Sequence, residues 1–433
     1  MLPHVLALIV LTAGIQQPQP CPEAERPYCE EIAQLAREPA VQRAFAYLEA
    51  NDSIALRDLI TLTEIPAPPF KEARRAEKYA AMLREAGADS VWIDGAGNVI
   101  ALRRGRTGGR VVAIAGHLDT VFPEGTDVTV RQRGDTLFAP GVGDDTRGLV
   151  VVLHALRAFE AAGIATDADV LFIGTVGEEG LGDLRGMKHL FGEDGPGIDA
   201  FISVDGGSDA RIVHQALGSR RYRVTFRGPG GHSWGAFGTG NPAHALGRAI
   251  HLFDRAADAY TAEGARTSYN VGRIGGGTSI NAVPFEAWME VDMRSESQER
   301  LIEIDSIFRA VVQQALAEQN AVNRRGPPLE VDVELVGDRP SGETPLDAPL
   351  LLRAMAATRH FGDEPDLARS STDSNIPISL GIPAVTITRG GVGGGSHSPG
   401  EWWIPRDAPE AIQRALLIVL AEAGMADAAV VGQ

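Results

Sequence analysis

The chain contains several short, continuous runs of apolar and β-branched residues, and these runs constrain its fold more than any other feature. They cover residues 111–115, 170–176, 200–204 and 384–388. A helical pattern over residues 149–162 lies between the first two runs. Strands that are apolar along their whole length are buried on both faces, as in parallel sheets covered by helices. The sequence therefore predicts an α/β fold with a mostly parallel sheet and helices on both faces.

The middle of the chain breaks this pattern and predicts a second module. Its segments follow the order β-α-β-β-α-β, which is typical of a ferredoxin-like α+β arrangement. They are strands near residues 221–227, 267–273, 287–294 and 329–335, and helices near residues 242–258 and 296–319. We therefore expect a catalytic domain in two parts, residues 21–214 and 341–433, with a lid or dimerisation domain inserted over residues 215–340.

The N-terminus resembles a secretory signal. The apolar run at residues 5–11 is too short to anchor the chain in a bilayer, but it fits the core of a signal peptide. We expect a signal peptide over residues 1–20 and export to the periplasm or the medium; a partly apolar N-terminus without that role is the alternative. Cys21 and Cys29 follow directly. They either form one local disulfide in an oxidising compartment or stay as two thiols.

The composition restricts the class of partner. A length of 433 residues allows two or three domains, and a hydrophobic fraction of 44% is ordinary for a globular protein. The formal net charge is −17. This charge argues against nucleic acid or an anionic membrane surface, because both would be repelled. We therefore expect no nucleic-acid partner.

Polar residues that can bind metal ions follow the apolar runs closely. They are His117 and Asp119 after the first run, Glu178 and Glu179 after the second, Asp205 after the third, His397 after the fourth, and Asp144 at the start of a helix. Singly, each has a simpler explanation as a helix cap, a turn residue or a solvated carboxylate. Together they fall where α/β sheets form their sites, at the carboxyl ends of strands. We therefore expect one shared site.

The adjacent pair Glu178-Glu179 indicates the chemistry of this site. Two neighbouring carboxylates after a buried strand are costly to ionise together. The pair becomes favourable if one carboxylate binds a metal ion and the other acts as a base beside it. His and carboxylate ligands suit zinc, manganese or cobalt. Asp119 points the same way as His117 in strand geometry, so it can orient the imidazole.

Five motifs resemble those of the M20 metallopeptidases and occur in the same order. They are Gly-His-Leu-Asp-Thr (116–120), Gly-Asp-Asp-Thr-Arg-Gly (143–148), Gly-Glu-Glu-Gly (177–180), Val-Asp-Gly-Gly (204–207) and Gly-Gly-His-Ser (230–233). This family comprises aminoacylases, carboxypeptidase G-like enzymes, tripeptidase T-like enzymes and related dipeptidases. The resemblance implies two divalent metal ions, with zinc expected first and cobalt or manganese as alternatives.

The resemblance also implies a role for each candidate residue. His117, Asp144 and Asp205 would hold one ion, and Asp144, Glu179 and His397 would hold the other, with Asp144 bridging. Glu178 would be the general base, and Asp119 would support His117.

The inserted module has candidates of its own, again by resemblance. His232 would stabilise the oxyanion, often from a partner subunit, which implies a homodimer through the inserted domain. Asn281 and Arg294 resemble positions that bind a substrate carboxylate. Taken alone, His232 is an ordinary loop residue and Arg294 could form a surface ion pair.

These expectations combine into a di-metal exopeptidase that cleaves short peptides outside the cytoplasm. An N-acyl amino acid deacylase on the same scaffold is the nearest alternative, and a catalytically silent binding protein is the alternative from another class. A serine hydrolase is disfavoured, because no Gly-x-Ser-x-Gly motif stands at a strand-to-helix turn. The signal-like leader is unusual for the tripeptidase T branch, whose members are largely cytosolic.

Overall fold

The computed structural model of the protein describes residues 20–426. The predicted signal peptide lies outside the described residues, apart from Pro20. Between residues 20 and 426, no helix combines the length and the apolar character that crossing a bilayer requires. Cys21 and Cys29 form a disulfide, which is one of the two alternatives that the sequence leaves open.

Eleven α-helices are present in the described part of the chain. They are α1 (Arg26–Arg37), α2 (Pro39–Ala50), α3 (Asp52–Thr63), α4 (Ala73–Glu85), α5 (Thr146–Ala162), α6 (Arg185–Leu190), α7 (Pro242–Thr261), α8 (Gln298–Ala321), α9 (Pro349–His360), α10 (Asn375–Ser379) and α11 (Ala408–Ala423). Two short 3-10 helices lie at Glu23–Glu25 and Gly180–Gly182.

The strands of the same region form a large sheet and several smaller ones. They are β1 (Ser90–Ile93), β2 (Val99–Arg103), β3 (Val111–His117), β4 (Arg131–Arg133), β5 (Thr136–Phe138), β6 (Asp169–Thr175), β7 (Ala200–Val204), β8 (Arg211–Ala216), β9 (Gly218–Arg227), β10 (Gly231–His232), β11 (Thr267–Gly276), β12 (Ala282–Val283), β13 (Glu286–Ser295), β14 (Glu330–Arg339), β15 (Gly342–Glu343), β16 (Asp366–Ser370), β17 (Ala384–Ile387), β18 (Val392–Gly394) and β19 (Trp402–Ile404).

The large sheet has the order β1-β2-β6-β3-β7-β17-β8-β15, and β16 also pairs with β8. Its centre is parallel, from β6 through β3 and β7 to β17. The predicted α/β class is confirmed. Antiparallel pairs extend both sides of this centre, because β1 and β2 form a hairpin and β8 runs opposite to β17. A hairpin needs only a short turn, whereas a parallel pair needs a crossover.

Both faces of the sheet are buried, which explains why the central strands are apolar throughout. Val112 and Ile114 of β3 pack into the core formed with α1 to α5, α9 and α11. Ala113 and Ala115 point to the opposite face, where α6 and α10 cover the sheet. Alternate side chains of one strand thus enter two cores. Because the centre is parallel, the carboxyl ends of β3, β6, β7 and β17 meet at one edge.

The inserted module is a separate four-stranded antiparallel sheet covered by two helices. Its strands lie in the order β11-β13-β9-β14, and α7 and α8 pack on it around a core of its own. This order, with the sequence β-α-β-β-α-β, is ferredoxin-like as predicted. We refer to Gly218–Arg339 as the lid, and the cleft between the lid and the large sheet holds the candidate site.

Candidate metal centre and its cleft

The five predicted metal ligands converge at the carboxyl edge of the parallel strands. Three groups of three have donor atoms that all lie within 4.8 Å of one another. Two of them are the predicted ligand sets, His117, Asp144 and Asp205, and Asp144, Glu179 and His397; the third is His117, Glu178 and Glu179. Asp144 is common to the two predicted sets. The residues come from five distant positions in the chain, so this arrangement depends on the sheet topology.

Direct contacts join Asp144 to a histidine on each side. Its Oδ1 lies 3.2 Å from Nε2 of His117, and its Oδ2 lies 3.3 Å from Nε2 of His397. His397 Nε2 also lies 2.9 Å from Oε1 of Glu179. Burial disfavours the charged form of Asp144, but the hydrogen bonds from both histidines outweigh it and hold the pKa of this carboxyl well below its usual range. The hydrogen bonds of His397 with Asp144 and Glu179 raise the pKa of its imidazole to about 10.

Glu178 lies beside these ligands and is buried. Burial raises the pKa of its carboxyl well above the usual value, although the nearby Arg339 guanidinium opposes this shift. Arg339 donates through one terminal nitrogen to Glu178 Oε1 at 3.0 Å and through the other to the Glu178 backbone carbonyl. Glu178 is therefore held by the last residue of β14, while its Oε2 stays available.

Asp119 supports the site differently from the prediction. Its carboxylate accepts the backbone N–H groups of Glu178 at 3.1 Å and Glu179 at 2.8 Å. The imidazole Nδ1 of His117 is 3.8 Å from that carboxylate but 3.0 Å from the Asp119 backbone carbonyl. Asp119 thus orients the imidazole through its main chain. Its side chain holds the turn that presents the two glutamates.

Three residues that were not among the predicted site residues also shape the centre. Glu401 is buried, and its carboxylate accepts the backbone N–H groups of Gly141, Gly143 and Asp144. A nitrogen of Arg389 lies 3.7 Å from Asp144, and 4.0 Å from both Asp145 and Asp205. The Asp145 carboxylate is buried and accepts the backbone N–H of His117. Two of these residues had a signal in the sequence, because Arg389 follows a buried strand and Asp145 adjoins Asp144 in the motif at residues 143–148.

The candidate metal ligands lie at a cleft of about 410 Å³. Arg294 lines this cleft, as predicted for a substrate-binding residue, and its Nε also donates to Asp292 at 2.8 Å. His232 and Asn281 are not among the lining residues. They are exposed and lie next to each other, because β10 and β12 pair and the Ser233 N–H donates to the Asn281 carbonyl. Within one copy of the chain, these two predictions do not converge on the metal ligands.

The family follows from the sequence that builds this centre. Residues 113–421 match the model of the Peptidase family M20/M25/M40. The chain belongs to this family. The matched region contains every residue of the M20 centre described so far, whereas the two cysteines and helices α1 to α4 lie outside it.

Two curated relatives and one solved structure show how far the similarity extends. The M20 chain is 24% identical over 249 residues to carboxypeptidase G2 of a Pseudomonas species, a match covering 56% of this chain and 56% of the relative. It is 26% identical over 238 residues to succinyl-diaminopimelate desuccinylase of Corynebacterium glutamicum, covering 54% and 64%. The matches thus span less than two thirds of these relatives. A dinuclear metal binding peptidase of the M20 family from Bacillus subtilis shares the fold, with a TM-score of 0.63, 18% identity, and 87% and 100% of the two chains covered.

The residues of this M20 centre suit two divalent metal ions. Imidazole and carboxylate donors are the ligands that zinc, manganese and cobalt take from proteins. Burying so many carboxylates together is costly without cations. Burial raises the pKa of Asp205, with the Asp144 charge adding to the effect. Cations between these donor atoms would offset this cost.

Proposed function

We propose that this protein is a di-metal amidohydrolase that acts as an exopeptidase on short peptides. The observation that carries the proposal is the pair of three-residue ligand groups sharing Asp144, next to a buried glutamate and open to an arginine-lined cleft. Family membership supports the reaction class, and the name of carboxypeptidase G2 supports exopeptidase action.

The ligand groups would hold two ions, with zinc as our first choice. His117, Asp144 and Asp205 would bind one, and Asp144, Glu179 and His397 would bind the other. Such a pair would polarise an amide carbonyl and lower the pKa of a water molecule towards neutrality. Glu401 and Asp119 keep Asp144 and Glu179 in place by accepting backbone N–H groups.

Glu178 would move the proton. Its Oε1 is held by Arg339, so Oε2 is the atom that can take a proton from water and later pass it to the leaving amine. The burial that raises the pKa of this carboxyl makes it a stronger base than an exposed glutamate. Because Arg339 also bonds the Glu178 backbone carbonyl, the carboxyl keeps one orientation during both transfers.

The lid would bind the substrate and pair two copies of the chain. Arg294 pairs with Asp292 through Nε, which leaves its terminal nitrogens to bind a substrate carboxylate. His232 and Asn281 are exposed near Trp234 and Ile280, which are 88% and 104% exposed. We therefore propose that a homodimer forms through the lid and that His232 serves the centre of the partner. Export through the N-terminal signal is part of the same proposal.

An N-acyl amino acid deacylase is the second candidate. The name of the desuccinylase relative supports it, and an arginine-lined cleft suits an acyl group with a carboxylate as well as a peptide.

One experiment separates these functions. The purified protein would be assayed for metal content and then offered dipeptides, tripeptides and N-acyl amino acids, with and without a chelator. We expect chelator-sensitive hydrolysis of short peptides, restored by zinc. Preference for the N-acyl amino acids would support the deacylase. Tight metal binding with no hydrolysis of any substrate would favour a binding protein and contradict the proposal.

A further inference from the structure

Five arginines line the cleft beside the candidate metal ligands. They are Arg211, Arg221, Arg294, Arg339 and Arg389. Four carboxylates line it as well, from Asp144, Glu178, Glu179 and Asp205, so the lining groups together with two divalent ions would carry a net positive charge. Which of these arginines can bind a ligand therefore depends on the carboxylate partners that each one already has.

Most of these arginines already have a carboxylate partner. Arg221 and Arg294 share Asp292, each at 2.8 Å. Arg339 binds Glu178, as described above. Each of these three side chains therefore has a structural reason to be present.

Arg389 provides the counter-charge for the buried carboxylates of the centre. It lies within 4.0 Å of Asp144, Asp145 and Asp205. A second arginine is therefore not needed for this purpose. Within residues 20–426, Arg211 makes no ion pair with a carboxylate and its guanidinium has no hydrogen-bond partner; its backbone N–H donates to the Ser208 carbonyl.

The backbone nevertheless makes room for Arg211 at the edge of the centre. Arg211 is the first residue of β8, and Val213, two residues later on the same side of the strand, lines the same cleft. Gly207, two residues after the candidate ligand Asp205, packs against this side chain. A Cβ at position 207 would lie 2.7 Å from Arg211 Cδ. A larger residue at position 207 would require the Arg211 side chain or the local backbone to shift, and the positive φ of Gly207, 90°, also favours glycine there.

We propose that Arg211 is a second anion-binding residue of the cleft, so that preferred substrates carry a carboxylate in addition to the one bound by Arg294. The inference rests on the proposed function and narrows its substrate class to amides with two carboxylates, such as acidic dipeptides or N-succinyl amino acids. A guanidinium binds a carboxylate through two parallel hydrogen bonds, which an uncharged amide of the same shape cannot accept.

Binding is measured without turnover so that the two proposals can fail separately. The zinc-loaded Glu178→Gln protein is titrated by calorimetry with matched pairs: Ala-Glu and Ala-Gln, Glu-Ala and Gln-Ala, N-succinyl-alanine and N-succinamoyl-alanine. We expect the acid of at least one pair to bind about tenfold or more tighter than its amide. Adding Arg211→Met should bring that ratio close to one, and Arg211→Lys should give an intermediate ratio.

Arg57→Met is the matched control, because it removes the same charge from an exposed position in α3. It should keep the full acid-to-amide ratio. A ratio near one for every pair before Arg211 is changed, or a ratio that survives Arg211→Met, overturns the inference. Hydrolysis by the wild-type protein tests the proposed function separately, since the binding ratio can hold even if no amide is cleaved.

Discussion

Glu401 offers the sharpest test of how the centre is built. Its carboxylate accepts three backbone N–H groups, from Gly141, Gly143 and Asp144, at 2.7, 2.9 and 2.8 Å. The side chain is buried, so water has little access to replace it. Glu401 therefore fixes the loop that carries the shared ligand, although it would not touch a metal ion itself.

The expected free-energy loss in Glu401 variants follows from the number of these hydrogen bonds. Glu401→Ala leaves three donors without their acceptor, and each buried unsatisfied donor costs about 1–3 kcal/mol. We therefore expect a loss of at least about 3 kcal/mol, divided between the free energy of unfolding and the free energy of metal binding. Glu401→Gln keeps one oxygen, which can still accept from Gly143 and Asp144. It loses only the bond to Gly141 and should cost about 1–3 kcal/mol.

Two assays capture both parts of this loss. Urea unfolding of the metal-free variants, followed by circular dichroism, gives the stability change, and zinc titration against a competing chelator gives the change in affinity. The summed loss should be clearly larger for Glu401→Ala than for Glu401→Gln. Equal losses in the two variants would mean that the charge matters and the hydrogen bonds do not. An alanine variant that matches wild type in both assays would refute the reasoning.

Three further predictions concern the base, the shared ligand and a buried histidine. Glu178→Gln should keep its metal ions while kcat falls by about 10²–10⁴-fold, the usual contribution of general base catalysis; metal analysis and initial rates test this. Asp144→Ala should lower metal content more than His397→Ala does, because it belongs to both ligand groups. Burial lowers the pKa of His154 below 6.5, against the opposing bond to Asp58. Its neutral form thus contributes stability that is complete above pH 6.5 and is lost as the pH falls through the lower folded-state pKa. His154→Gln should flatten this slope in urea unfolding.

Each of these predictions has a result that contradicts it. Substantial turnover by Glu178→Gln would exclude this residue as the base. Equal metal loss in Asp144→Ala and His397→Ala would argue against a shared ligand. A wild-type pH slope in His154→Gln would place the titrating group elsewhere.

The sequence predicts the centre of the fold and the convergence of the ligands for one physical reason. A parallel sheet brings the carboxyl ends of its strands to one edge, so residues that follow apolar runs must lie close together. His117, Glu179 and Asp205 are of this kind. The antiparallel direction of the edge strands could not be predicted, because short runs carry little information about the direction of pairing.

The residues that support the ligands were not predictable in the same way. Glu401 lies 257 positions from Asp144 in the chain. It precedes two tryptophans, and nothing in the neighbouring sequence distinguishes it from an exposed glutamate. The contacts of Asp119 were also not predictable. Atomic positions are needed to decide whether its side chain or its main chain bonds the His117 imidazole. Spacing restricts which residues can meet, whereas hydrogen-bond partners depend on the packed backbone.

The lid is attached to the large sheet at one end only. β8 leads into β9, and β14 leads into β15, which pairs back onto β8 through Gly342 and Ala216. Arg294 and Arg339 both stand opposite Ser219, beside this attachment. The loop of His232 and Asn281 lies beyond the other end of the same strands.

The two ends of the lid therefore lie at very different distances from its attachment to the large sheet. Strands of ten residues span about 30 Å, so a rotation of the lid by about 20° about this attachment would carry the far loop through about 10 Å. Arg339 lies close to the attachment, so the same rotation would move it only a small fraction of that distance and leave its bonds to Glu178 nearly unchanged. Such a rotation would bring distant groups to a substrate while the support of the base stays nearly stationary.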